Sequence, residues 1–366
     1  MIESPASCYF AASNSSGGFR SYYGEIFADD RVDHLYIIKG GPGTGKSHFM
    51  KAVARHGRGR GYCVTEYACS SDPASLDGLI LSKEGTPTLG FLDGTPPHPR
   101  EPAFPGVREE LVNLGAFWNS RQLIEQGETI RRLSEGKSAA YRRAYAYLSA
   151  CGAVDSAAES RVEDCIREDR IRALVERILR GQPKGGRDCK LLPALRRAVG
   201  MTGEVCLHTF EQEAVRSGGA VLALEDHYGV AYRVTRTLFE RSRAVGHEVY
   251  VSYDPIHPHK IDGLYYPDGG LCILVGDVDT AAVTEAGIPL RSIPLRRFLH
   301  AEPFREIRGD LRRACAECNR LTEAALEELS SAAKFHFELE GIYSEAMNFK
   351  AKEAFTEQFC NDLFAE

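Results

Sequence analysis

The chain has little of what would place it in a membrane, outside a cell or on nucleic acid. Its 366 residues contain one tryptophan and four methionines, and no long apolar run. The longest such stretches, among them 219–224 and 271–275, fall far short of the roughly 20 residues a membrane helix needs. Met1 is followed by neither a basic segment nor an apolar one, so the opening does not read as a signal peptide. The expected location is therefore cytoplasmic, with no membrane partner. A positive excess is also missing: 45 Lys and Arg stand against 51 Asp and Glu, for a net charge of −6. Residues 1–186 hold 24 basic and 23 acidic side chains, and residues 187–366 hold 21 and 28. Neither half has the surplus that sequence-independent binding to a phosphate backbone requires, so nucleic acid is not the expected partner. The 11 cysteines are scattered, and the one close pair, Cys315 and Cys318, has no second pair or histidines beside it. They read as reduced thiols rather than as a zinc or disulfide framework.

What is present is ordinary globular material, 43% hydrophobic and 26% charged, which argues against wholesale disorder and leaves room for two domains. Within it lies one specific motif. Residues 35–39 are rich in strand formers. Gly40-Gly41-Pro42-Gly43-Thr44-Gly45-Lys46-Ser47 follows, a full match to G-x-x-x-x-G-K-[ST], and Phe49, Met50, Val53 and Ala54 then recur at helical spacing. A strand, a glycine loop and a helix in that order form the context in which the motif predicts a phosphate cradle (P-loop). Glycines let the backbone wrap a triphosphate with its N–H groups inward, and the helix N-terminus adds its positive end. Gly40, Gly41, Gly43, Thr44, Gly45, Lys46, Ser47 and His48 are the candidate nucleotide-binding positions. Lys46 would reach the β- and γ-phosphates, and the Ser47 hydroxyl would ligate Mg²⁺.

A second acid is needed for the metal. Residues 88–93 form an apolar run ending in Asp93, followed by Gly94, Thr95, two prolines and His98. This predicts a buried parallel strand beside the loop strand, with Asp93 at its C-terminal edge as the metal-side carboxylate. Residues 61–69 read as another strand, and Asp72 and Asp77 are expected on the loop after it. Each is a candidate general base or outer metal acid, and each reads equally well as an Asp-Pro or Asp-Gly turn residue. His98 could orient water or be structural.

The second half repeats the first. Ser71-Asp72-Pro73 and Leu76-Asp77-Gly78-Leu79 reappear as Tyr253-Asp254-Pro255 and Ile261-Asp262-Gly263-Leu264. Residues 220–224 match the loop strand, and 271–275 match the strand of Asp93. Each half then turns helical, from about Ser138 and Ala333. The expectation is α/β: a duplicated P-loop-type parallel sheet, each copy with its own helical hairpin, in domains 1–186 and 187–366. The second loop reads Glu225-Asp226-His227-Tyr228-Gly229-Val230-Ala231-Tyr232, with Ala231 expected in the place of Lys46 and Tyr232 in that of Ser47. Two acids there would repel a triphosphate, so this copy is expected to be a pseudo-site.

Two halves carrying these motifs resemble a family of largely uncharacterised bacterial tandem P-loop ATPases. The resemblance covers nearly the whole chain, including 18–22 and 117–119, and this chain departs from it in its second loop. It implies the fold and ATP binding, and it names no substrate.

The absence of an N-K-x-D guanine motif favours ATP. The first expectation is Mg²⁺-dependent ATP hydrolysis at one N-terminal site, with Lys46, Ser47, Asp93 and one of Asp72 or Asp77 in the chemistry. A small-molecule kinase with an unknown acceptor is the alternative, its lid being the segment 105–186, where Arg108, Arg131, Arg132, Arg142 or Arg143 could reach phosphate. A nucleotide-dependent switch acting on a partner protein is the alternative of another class, with a homodimer face on the helices after Leu321. A nucleic-acid motor is the weakest option.

Overall fold

The computed structural model describes residues 7–183, 191–226 and 228–365. The boundary expected at 186/187 lies outside the described residues. In chain order the first repeat is β1 (Ser7–Phe10), the hairpin β2 (Ala12–Ser15) and β3 (Gly18–Ser21), α1 (Tyr23–Ile26), β4 (His34–Lys39), α2 (Lys46–Gly59), β5 (Cys63–Ala68), β6 (Leu76–Ser82), β7 (Leu89–Asp93), β8 (Glu109–Asn113), α3 (Ser120–Glu125), α4 (Gly127–Glu163) and α5 (Glu168–Arg180). The second repeat is β9 (Leu191–Pro193), the hairpin β10 (Arg197–Gly200) and β11 (Gly203–Cys206), α6 (Thr209–Arg216), β12 (Ala220–Glu225), α7 (Val230–Val245), β13 (Val249–Tyr253), β14 (Ile261–Tyr266), β15 (Leu271–Val275), α8 (Thr280–Glu285), β16 (Leu290–Pro294), α9 (Ala301–Glu345) and α10 (Phe349–Leu363).

Two six-stranded sheets result, ordered β1-β5-β6-β7-β4-β8 and β9-β13-β14-β15-β12-β16. The orders match strand for strand, which is the duplication expressed in topology. The sheets are mixed rather than parallel as expected. β6 runs antiparallel to β5 and β7, and β14 runs antiparallel to β13 and β15. The physical reason is the length of the connections. Four to seven residues join these strands, enough for a turn and too few for the helical crossover that a parallel neighbour needs. The central strands are apolar on both faces because helices or the other repeat cover both sides, and Leu35, Ile37 and Ile38 of β4 are fully buried.

The helices depart further from expectation. Among the described residues, no helical hairpin closes within either repeat. Instead α4, about 55 Å long at 1.5 Å per residue, pairs antiparallel with the still longer α9. Gly136 packs against Phe335, Cys151 Sγ lies 3.7 Å from Thr322 Oγ1, and Arg161 pairs with Asp310. Each long helix thereby delivers the short helix after it to the opposite repeat. On α5, Ile171, Leu174 and Val175 pack with Val234, Leu238 and Leu264 of the second repeat. On α10, Phe355, Phe359, Cys360 and Phe364 pack with Phe49, Met50 and Phe91 of the first. The crossings are equivalent. Asn119 N–H donates to Ala346 O (2.7 Å) and Asn348 N–H to Phe117 O (2.8 Å), while His300 N–H donates to Cys165 O and Arg167 N–H to Phe298 O (both 2.8 Å).

The repeats also share a core. Tyr9 and Phe10 of β1 pack with Phe210, Val221 and Leu274. Tyr22 stacks on Tyr253 with ring centroids 5.1 Å apart, and Phe10 exchanges backbone hydrogen bonds with Leu195. Among the described residues, no helix is long and apolar enough to cross a membrane.

The exchange makes a testable assignment. Phe359 lies near the chain terminus but packs on Tyr36, Phe49 and Phe91. Phe359→Ala is expected to cost about 3 kcal/mol. Native-state hydrogen exchange should then show protection falling in β4 and β7 while β12 and β15 keep theirs; loss centred on the second sheet would contradict the exchange.

Candidate functional site

β4 ends at Lys39 and α2 begins at Lys46, so the glycine loop joins the two as its sequence predicts. Gly45, the residue before the helix, has φ +80°, a left-handed conformation that glycine adopts without strain. Gly43 has φ +72°, and a Cβ there would stand 2.5 Å from Glu340 O and from Ser344 Oγ. The end of α9 therefore lies directly on the loop, and Ser344 Oγ donates to Gly43 O at 3.1 Å. Thr44 is buried and its hydroxyl donates to Gly41 O (2.8 Å), which closes the turn. Lys46 Nζ donates to Gly40 O (3.1 Å) and Gly41 O (3.0 Å) and lies 3.5 Å from Asp93 Oδ2.

Asp93 is where the sequence places it. β7 pairs parallel with β4, and Asp93 is its last residue, opposite Ile38. Its Oδ1 accepts from Thr95 N–H (2.9 Å) and Thr95 Oγ1–H (2.6 Å). Burial, joined by the charge of Asp77, pushes its pKa upward against the pull of Lys46 and His98. Asp77 is not on a loop but inside β6, buried, because the strand starts one residue earlier than the Asp-Gly pair suggests. His98 joins the two acids. Its Nδ1 is 2.8 Å from Asp93 O and must donate there, and its Nε2 is 3.5 Å from Asp77 Oδ2. Burial works to lower the His98 pKa, but the hydrogen bond and charge of Asp77, with the charge of Asp93, outweigh it and the net shift is upward. Tyr23 is buried against the same cluster, and its phenol is held well above the usual range first by burial and then by Asp77.

Other candidates fall outside this cluster. Asp72 is a turn residue: its carboxylate accepts from Ala74 N–H (3.2 Å) and Ser75 Oγ–H (2.6 Å). Ser47 is on the first turn of α2 and its Oγ accepts from Leu76 N–H (2.9 Å), which leaves one lone pair for another partner. The side chain of His48 is exposed. Arg108 is fixed far from the loop by Val32 O, Phe27 O, Glu109 and Asp29. Arg143 pairs with Glu328 at the surface, and Arg131 lines a shallow 410 Å³ cavity with Trp118 and Tyr343.

The basic groups that do approach the loop are two lysines that no local pattern marks. Lys137 on α4 is close enough to Lys46 and Glu340 to feel both charges, and burial, then Lys46, holds its ammonium below the usual lysine range. The stem of Lys352 on α10 lies along Gly45. The one sequence signal for Lys352 is its position three and seven residues before Phe355 and Phe359, a cation on an apolar stripe.

The second loop is built differently at equivalent positions. Leu224 lies opposite Val275 as Ile38 lies opposite Asp93, so a valine takes the place of Asp93. Gly229 precedes α7 with φ +80°, as Gly45 precedes α2. The loop is two residues shorter, so Val230, not Ala231, takes the place of Lys46, and Ala231, not Tyr232, that of Ser47. The Asp226 carboxylate accepts from the N–H groups of Tyr228 (3.0 Å), Val230 (3.2 Å) and Ala231 (2.8 Å). An acid of the chain itself sits on the helix-start amides.

Two further clusters hold ligand-type residues, Cys206 with His208 and Asp277, and Asp155 with Glu159 and His259. Each already faces a fixed cation. Arg196 Nη1 is 3.7 Å from Cys206 Sγ, and Lys260 Nζ pairs with both Asp155 and Glu159. Neither cluster contains Cys315 or Cys318.

Two outcomes test this description. Asp226→Ala removes the cap of α7 and is expected to lower stability by about 1–2 kcal/mol in denaturant titration. For His98, whose folded-state pKa is raised, the stabilisation is full below its ordinary pKa of 6.5 and is lost as pH rises through the folded value. With EDTA present, the stability gap between wild type and His98→Asn should narrow from pH 6 toward alkaline pH, and a gap that widens would remove the Asp77–His98 assignment. No protein-family model, no curated protein and no solved structure matches the chain, so the site is read from its own geometry.

Proposed function

We propose that the first repeat is a Mg²⁺-dependent ATP-binding and ATP-hydrolysing P-loop unit and that the second repeat is a pseudo-site. The observation that carries this reading is the contrast between the two loops. Both begin a helix behind a glycine at φ +80°. In one the helix-start amides serve an internal carboxylate; in the other Gly40 stands where Asp226 stands, and a lysine lies 3.5 Å from a strand-end acid. The donor set suits a triphosphate with its metal: inward amides, one ammonium, one hydroxyl with a spare lone pair and one carboxylate. ATP is favoured over GTP by the missing guanine motif.

In this reading the loop amides and Lys46 hold the phosphates and stabilise charge on the transferring phosphoryl group. Ser47 Oγ and Asp93 would hold Mg²⁺, which when bound draws charge from the phosphate oxygens. Asp77 is the candidate acceptor of the attacking water's proton, and His98, which donates through Nδ1 to Asp93 O and faces Asp77 through Nε2, holds that carboxylate in place. Asp72 has no part. A phosphoryl acceptor other than water would use the same groups. One observation favours a second reading, a nucleotide-dependent switch: Glu340, Tyr343 and Ser344 of α9 rest on Gly41 and Gly43, so a change at the loop is felt by a helix that reaches the other repeat.

The test is phosphate release from Mg-ATP. Lys46→Ala is expected to reduce turnover at least ~100-fold while the chain stays folded by circular dichroism. Equal turnover in the variant would remove the site, and tight binding with negligible wild-type turnover would favour the switch.

A further inference from the structure

We propose that Lys352, carried by the terminal helix of the second repeat, is a phosphate-binding residue of the Gly40–Ser47 loop, so that the anion site is complete only when the two repeats exchange helices. The inference rests on the nucleotide reading above and adds a ligand to it.

Lys352 is 5% exposed, and its Nζ lies 3.2 Å from the point a Gly45 Cβ would occupy. Gly45 is the residue immediately before α2, where the first helical N–H groups have no intrahelical partner and no side chain caps them. α10 runs parallel to α2: Lys352 is beside Gly45, Phe355 and Phe359 are beside Phe49, and Phe364 is beside Gly57. The positive ends of both helices therefore meet at this edge.

Among the described residues, the Lys352 ammonium makes no hydrogen bond and no ion pair. Among the described residues, the one charged group acting on it is Glu353 of its own helix, and its nearest aromatic ring is Phe349, 5.9 Å away. Burial holds its ammonium below the usual lysine range. The stem of Lys352 is buried while its ammonium has no hydrogen-bond or ion-pair partner among the described residues and lies beside the loop, so an anion at the loop is the partner it lacks. Lys46 and Lys137 face the same loop, against Asp93, Asp77 and Glu340.

The other repeat provides the comparison. Asn348 and Arg167 precede α10 and α5 and make equivalent crossing bonds. Counting four residues on from each, the position of Lys352 is held by Ile171 in the second site, fully buried in that core. Packing alone is thus met by an isoleucine. The lysine occurs in the repeat whose loop has an open glycine cradle, and the isoleucine in the repeat whose loop is plugged by Asp226.

The experiment measures binding of Mg-ATP and of pyrophosphate to the full chain, with Lys352→Met, Lys352→Ile and Lys352→Arg beside Lys46→Ala. Both apolar variants should bind each ligand at least ~10-fold more weakly. Their melting temperature should be equal to or above wild type, because the buried stem is kept and an unpaired ammonium held beside the loop is gone, and Arg should recover part of the affinity. A purely structural lysine would do the reverse, lowering the melting temperature and sparing affinity. The isoleucine variant keeps the test open if methionine folds poorly. If wild type binds and Lys46→Ala abolishes binding while Lys352→Met and Lys352→Ile bind like wild type, the role of Lys352 alone is refuted. If wild type binds neither ligand, the nucleotide reading falls and this inference with it.

Discussion

The antiparallel pairing of α4 with α9 is the contact on which the rest of the molecule depends. Each of these helices is too long to fold back on its own sheet, and each carries its successor to the other repeat. The outer face of the first sheet is closed by Phe355, Phe359 and Phe364 from the end of the chain, and that of the second by Ile171, Leu174 and Val175. Burying large apolar side chains is the main favourable term in folding, so neither sheet reaches its native packing with residues of its own repeat. The shared cluster around Tyr9, Phe10 and Phe210 adds a second tie at the inner faces. The folding unit is therefore the whole chain, and many of its decisive contacts join residues from about 150 to about 300 positions apart, a topology that loop-closure entropy makes slow to form.

This architecture turns the two loops into controls for one another. They share strand register, a helix behind a left-handed glycine and a flanking exchanged helix. They differ in the groups placed there: Gly40 against Asp226, Lys46 against Val230, Asp93 against Val275, and Lys352 against Ile171. Under the proposed reading, every one of these differences removes a ligand for a phosphate or its metal from the second repeat, or fills its place. A helix N-terminus attracts an anion in either case. In the second repeat the chain supplies that anion, and α7 gains a cap in exchange for a binding site.

Much of this was legible in residue order. The glycine loop, its strand and its helix, the acid at the end of the neighbouring strand, the duplication and the altered composition of the second loop all follow from local spacing, because each is set by a few adjacent side chains and their dihedral limits. The strand directions around β6 and β14 were readable only from connection length, which the apolar runs do not mark sharply. Asp77 was misplaced because Asp-Gly signals a turn wherever it occurs, whereas here Gly78 is needed inside the strand, where a Cβ would press on the Phe27 ring at 3.0 Å. The alignment of the second loop slipped by one residue because a two-residue deletion leaves no signal except the glycine before the helix. The exchange of α5 and α10 was out of reach: an apolar stripe says that a helix is covered, not by which sheet.

The same limit explains why the basic groups at the loop were sought among the arginines of 105–186. Those lie near the loop in sequence, and proximity in sequence is what a reading of one chain can weigh. Lys352 is more than 300 residues from Gly45, and only the exchange brings them together. Under the proposed reading this gives the second repeat a reason to persist without a site of its own. Its loop is locked by Asp226 and its exchanged helix is packed by Ile171, so it forms a fixed support. From that support α9 lays Glu340, Tyr343 and Ser344 on the first loop, and α10 sets Lys352 beside Gly45. A second repeat that opened and closed on its own ligand would shift those groups by the length of its own motion. The loss of chemistry in one repeat and the composite construction of the other are then two sides of one constraint: a site assembled from both ends of a chain needs one end to hold still.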